Sequence, residues 1–172
     1  MKVNITIPHE IDLKYLRATM GVRYWEDCEY SKDGGKTWFG DFDDTDEESE
    51  HIKSLIPHVL RKDIGYEESD YWELIIDLEE GKVLDWPKGF CINAYFKVCD
   101  DGEYVFLDKD MNELINITNE YDQYYVPDFL ALEDSGYGDY VYINIDGDGN
   151  IEHFERMKST IKDYFKELQE RD

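Results

Sequence analysis

From Tyr71 onward the chain breaks into short β-branched and aromatic runs, separated by turn signals rich in Asp and Gly. That punctuation constrains the fold more than any other feature, because runs of this length and period pair as hairpins. Residues 72–78 (WELIIDL) lead through Glu79-Glu80-Gly81 into residues 82–86 (KVLDW), and Pro87 and Gly89 end that run. Residues 90–98 form the next strand. Asp100-Asp101-Gly102 reads as its turn and Tyr104–Leu107 as its partner. Leu114–Thr118 then pairs back across residues 109–112, and residues 139–145 precede a Gly-rich turn with a return at 151–154. The hairpins around Gly81 and Gly149 are alike in sequence (IDLEEGKVLDW and INIDGDGNIEHF), which predicts a shared turn geometry.

Two further strands are expected upstream. One covers residues 2–7, with Val3, Ile5 and Ile7 on one face and Pro8 ending it. The other covers residues 13–30 and ends before Asp33-Gly34-Gly35. The chain closes with its clearest helix, residues 154–171. There Phe154, Met157, Ile161, Tyr164, Phe165 and Leu168 form one apolar stripe, the expected packing face of a helix on a sheet. The fold class is therefore α+β: a mainly antiparallel, hairpin-rich sheet with a C-terminal amphipathic helix. At 172 residues the chain suits one domain, residues 1–172.

Charge bears on partners more than on fold. Asp and Glu number 42 against 18 Lys and Arg, a formal net charge of -24. Aromatic residues make up 15% of the chain, too many for a disordered acidic tail. Trp25, Trp38, Trp72 and Trp86 are expected in the core, since no basic residues interleave with them as base stacking on nucleic acid requires. Such a chain repels free nucleic acid and anionic lipid and attracts basic proteins. The densest block is Asp41, Asp43, Asp44, Asp46, Glu47, Glu48 and Glu50, seven acidic residues in ten. It opens an acidic, partly helical insertion over residues 40–70, which also holds Glu67, Glu68 and Asp70; Pro57 shortens or kinks the helix there.

The sharpest local motif is Asn144–Glu155. An EF-hand loop takes oxygen ligands at alternate positions, Gly at the sixth and Glu at the twelfth. Asp146, Asp148, Gly149, Asn150 and Glu155 fall at those positions, with Asn144 in place of the usual first Asp. The segment before it reads as strand, so a plain hairpin turn built from Asp and Gly competes with a weak Ca²⁺ site. No other cofactor is expected.

Catalytic signatures are absent. No GxSxG, HExxH, Walker A or GxGxxG pattern occurs. His51 and His58 share a helical face without a third ligand nearby. Glu80 and Lys82, after Asp70 and Asp77, echo a metal-nuclease pattern but straddle a turn. Cys28, Cys91 and Cys99 have no metal-ligand spacing, and a sparse, odd count suits reduced thiols in a cytosol. No run approaches the length of a membrane span. The chain is read as a binding protein and not as an enzyme.

Several runs carry a resemblance: GVRYWED at 21–27, IDLEEGK at 76–82, WPKG at 86–89, KVCDDGEY at 97–104, YVP at 125–127 and GYGDY at 136–140. In these, and over residues 1–154, the chain resembles a family of small acidic proteins encoded by tailed phages and prophages. It departs from them at residues 40–70 and at the C-terminal helix, and their counterpart of the 144–154 hairpin lacks a full EF-hand signature. The resemblance implies a phage setting and carries no catalytic residues. Two functions are then expected. One is an anti-defence or host-takeover inhibitor, whose carboxylates at residues 41–50 and at Glu67, Glu68 and Asp70 mimic DNA in the groove of a basic bacterial nucleic-acid or defence enzyme. The other is a toxin-neutralising immunity-type protein. Neither contacts nucleic acid or membrane directly.

Overall fold

Alternation along each strand decides which side chains meet. The computed structural model describes residues 12–24, 29–39, 70–98, 103–118 and 140–170. They form eight strands and one helix: β1 (Tyr15–Tyr24), β2 (Glu29–Ser31), β3 (Asp70–Asp77), β4 (Lys82–Val83), β5 (Cys91–Val98), β6 (Glu103–Leu107), β7 (Glu113–Thr118), β8 (Tyr140–Ile145) and α1 (Phe154–Glu170). Every strand pairing is antiparallel. The architecture is α+β, as the sequence pattern predicts.

Register turns the alternation into rows of contact. Leu16 lies opposite Ile76 on one side and Phe106 on the other, and the row continues through Ile115 and Val83. A second row runs Ile117, Tyr104, Ala18, Leu74. All nine side chains are buried and belong to one core. Fully burying an aliphatic or aromatic side chain contributes about 1.5–3 kcal/mol, so these rows are the principal reason the sheet holds its register. Helix α1 closes that face with Met157, Ile161, Tyr164 and Phe165, and the Phe165 ring meets Phe106 edge-on at 5.0 Å between centroids. Val105 and Leu107, on the opposite face of β6, are also buried and lie outside this core cluster. Burial on both faces explains why β6 (EYVFL) is almost continuously apolar.

Two expectations change. Residues 13–30 are not one strand: β1 ends at Tyr24, and β2 is a separate three-residue strand on β5. Nor do β5 and β6 form a hairpin. Both run antiparallel to β1 along the edge that β3 leaves free, β5 against Val22 and Tyr24 and β6 against residues 15–19. The Asp100-Asp101-Gly102 signal therefore separates two strands running in the same direction. The ten-residue β1 is long enough to template both, and its pairing outweighs the local turn preference. The expected strand over residues 2–7 and the expected partly helical insertion, up to residue 69, lie outside the described residues.

The hydrogen-bonded path closes on itself. It runs from β1 to β3, from β3 to β4, and from Lys82 of β4 to Asn150. Ile151 bridges back to Ile145 in β8, β8 pairs β5, and β5 returns to β1. Closure rests on the two sequence-alike hairpins: Val83 N donates to Gly149 O at 2.9 Å and Ile151 N donates to Gly81 O at 3.0 Å. Both glycines have positive φ, 72° and 85°. A Cβ on Gly81 would sit 2.6 Å from the Phe154 ring, and one on Gly149 would sit 2.9 Å from Trp86 Cβ. Glycine is needed at both because the chain must turn left-handed where other atoms press against it.

Candidate functional site

The segment Asn144–Glu155 joins β8 to α1, and its chemistry is set by Asp146. The Asp146 carboxylate accepts from the amides of Asp148 and Asn150, each at 2.9 Å, and from Asn150 Nδ2 at 3.1 Å. The backbone closes the same loop, with Asp146 N donating to Asn150 O at 3.1 Å and Gly149 N donating to Asp146 O at 3.0 Å. Partial burial opposes ionisation of Asp146, and the Asn150 and Asp148 donors outweigh it, so its pKa lies below the usual carboxylate value. Asn144 stands outside this turn: its Nδ2 donates to Glu152, while its Oδ1 is buried with no partner among the described residues. Glu155 lies in the first turn of α1.

The spacing that matches an EF-hand thus belongs to a β-hairpin, with Ile145 and Ile151 bridged antiparallel. In it both oxygens of Asp146 accept from N–H donors of the turn. Among the described residues no three His, Cys, Asp or Glu side chains form a group that could hold a metal ion.

The same turn occurs a second time. Asp108 accepts from the amides of Asp110 at 2.8 Å and Asn112 at 2.9 Å, and from Asn112 Nδ2 at 3.2 Å. Asp108 N donates to Asn112 O and Met111 N donates to Asp108 O, both at 3.0 Å. The two turns share the pattern Asp-x-Asp-x-Asn, with a positive φ at the fourth residue: Met111 at 64° and Gly149 at 85°. The sequence signal is present in both places. Aligning the second on an EF-hand from Asn144 sets the frame two residues early and hides the match.

The loop from Ser31 to Phe39 presents an aromatic edge. Asp33 accepts from Thr37 N and from Ser31 Oγ, both at 2.8 Å, and those bonds, the Thr37 amide foremost, lower its pKa to about 2. Phe39 bridges Tyr30 and stacks on its ring at 5.4 Å. Trp38 is not a core residue as expected. It is 40% exposed and Phe39 is 47% exposed. The Trp38 indole N–H is satisfied locally by Gly35 O at 3.0 Å, so it needs no interior partner. Trp86 does join the core, half-buried, with its N–H on Phe90 O at 2.7 Å.

The expected partner-binding carboxylates from Asp41 to Glu68 lie outside the described residues; Asp70 opens β3 opposite Val22. The charge distribution is nonetheless uneven along the sequence. Residues 40–69 alone, directly after Phe39, hold 10 acidic side chains.

Other reactive groups are muted. Cys91 is buried, and that burial, with the charges of Asp146 and Asp33, pushes its thiol pKa up, which disfavours a thiolate nucleophile. His153 is exposed, 3.4 Å from Glu152. Glu80 and Lys82 flank Gly81 in the β3–β4 turn, which the Asp77 carboxylate caps by accepting from Glu79 N and Glu80 N. Among the described residues no helix is long and apolar enough to cross a membrane. No family model, no curated protein and no solved structure matches the chain.

Proposed function

We propose that this chain is a phage-encoded binding protein, an anti-defence or host-takeover inhibitor whose acidic surface occupies the basic groove of a bacterial nucleic-acid enzyme. The observation that carries the reading is the concentration of acidic residues in one stretch of the sequence. Residues 40–69 hold 10 acidic side chains, seven of them within residues 41–50. Acidity needed only for solubility has no reason to concentrate in this way. Duplex DNA presents about one phosphate per 1.7 Å of axis, so a mimic needs rows of carboxylates, and Asp41, Asp43, Asp44, Asp46, Glu47, Glu48 and Glu50 are the densest such row in the sequence. Trp38 and Phe39, exposed immediately before this run, offer the kind of aromatic contact that anchors protein interfaces.

The test is capture from bacterial lysate by the tagged full chain, with low- and high-salt washes. The reading expects a basic nucleic-acid enzyme that is retained at low salt and released at high salt. A variant with the seven carboxylates of residues 41–50 changed to Asn or Gln should lose it. Capture and inhibition that survive this change undiminished would sink the DNA-mimic reading.

A further inference from the structure

A groove of about 1000 Å³ lies where the chain leads into β1, β3 ends, β6 turns into β7, and α1 passes alongside. Its size is that of a site for a small organic ligand. The floor is apolar, formed by Leu13, Leu78, Leu114, Ile161 and Phe165. The rim carries four lysines beside five carboxylates, nearer to balance than the chain's 18 basic against 42 acidic residues. Lys14 is engaged, bonded to Asp77 at 3.3 Å and to Glu79. Lys109, Lys158 and Lys162 have no carboxylate within 4.0 Å among the described residues, and the Lys158 ammonium lies over the Phe154 ring, 5.5 Å from its centroid.

The lining carboxylates are less available than their number implies. Glu79 is held by Lys14, and Asp108 is held by the amides of its own turn. Asp12, Asp110 and Glu155 remain, as exposed as Lys109, Lys158 and Lys162 and screened by salt to the same degree. On the helix wall Lys158 and Lys162 stand one turn apart, with the Ser159 hydroxyl beside them in the lining. Side chains so spaced are neighbours on a helix surface, so two ammonium groups and a hydroxyl can share one anionic head.

From this geometry we infer that the groove is a binding site for a small amphipathic anion, with an apolar body on the leucine and phenylalanine floor and a carboxylate or phosphate head at Lys158, Ser159 and Lys162. The net charge of -24 opposes any anion, so a preference for one has to come from these local donors.

The experiment is calorimetric titration of the full chain with dodecanoate, dodecyl phosphate, dodecyltrimethylammonium and inorganic phosphate, each below its micellar concentration. One or both anionic amphiphiles should bind at a single site, at least tenfold tighter than the cationic one, and which of them binds tighter identifies the head group. Lys158→Gln with Lys162→Gln should weaken that binding at least tenfold with the thermal midpoint unchanged, as both side chains are exposed. Three results would each overturn the inference: equal or tighter binding of the cationic amphiphile, affinity unchanged in the double variant, or inorganic phosphate binding as tightly as dodecyl phosphate.

Discussion

Asp108 and Asp146 each open a five-residue turn closed by Asn, with matching hydrogen bonds from the same two amides and the same side-chain nitrogen, yet the fourth residue is Met111 in one and Gly149 in the other. Both fourth residues have positive φ. Surroundings explain the difference. Met111 is 44% exposed, so its side chain leaves the turn into solvent at the ordinary cost of a left-handed non-glycine residue, about 1–2 kcal/mol. Gly149 is buried against Trp86 and the Val83 carbonyl, where there is no room for a Cβ. The Asp-x-Asp-x-Asn hydrogen bonds specify the turn, and tertiary packing specifies what may stand at its left-handed position. One turn only joins β6 to β7, while the other also closes the sheet.

The largest break in this comparison comes from Gly149→Ala. Its Cβ would stand 2.9 Å from Trp86 Cβ and 3.2 Å from Val83 O, at a φ of 85°. Backbone strain and overpacking together should lower stability by about 3 kcal/mol, seen as a fall in the urea midpoint with an unchanged slope. A loss below about 1 kcal/mol would mean that the two turns do not differ in packing as described.

The next effect is on the carboxylates. Asp146→Ala should cost on the order of 1 kcal/mol, discounted for the exposure of the group. Asp108→Ala should cost less, because its turn closes a hairpin without bridging to a third strand. Both carboxylates have folded pKa values below the ordinary 3.8: Asp108 mainly through the Asn112 amide, and Asp146 because its donors outweigh burial. Their stabilisation is therefore complete above about pH 3.8 and lost as pH falls through the lower folded values. The stability gap between the unmodified protein and either variant should close over that window in acid-to-neutral urea titrations. A gap that persists below it would assign the effect to packing.

The sequence exposes local periodicity well and long-range choice poorly. The stripe Met157, Ile161, Tyr164, Phe165 identifies α1 and its buried face because helical spacing is written within one segment. The alternation of Leu74 and Ile76, or of Ile143 and Ile145, likewise marks the strands and their inner faces. Which strands pair is another matter. Asp100-Asp101-Gly102 has the composition of a hairpin turn, but the pairing of β6 with β1 is decided by residues 15–19, more than eighty positions upstream. Trp38 escapes the sequence pattern for a related reason. Composition points large aromatics inward, whereas the Gly35 carbonyl satisfies its indole at the surface. The likeness of the Gly81 and Gly149 hairpins is visible in the sequence. That they pair with each other is not, since nothing in either hairpin names its partner.

The smallest effect is also the most discriminating. Met111→Gly removes a left-handed conformation that costs a non-glycine residue about 1–2 kcal/mol, and it increases the freedom of the unfolded chain by about 0.5–1 kcal/mol. The half-exposed side chain also gives up some packing. These terms nearly cancel, so the urea midpoint should stay within about 0.5 kcal/mol of the unmodified protein. Met111→Val tightens the comparison, because a β-branched side chain is least tolerated at positive φ. It should destabilise by about 1 kcal/mol although it adds no buried contact. If Met111→Gly instead cost as much as Gly149→Ala, position 111 would be held by contacts of its side chain and not by its turn, and the equivalence of the two loops would end at their hydrogen bonds.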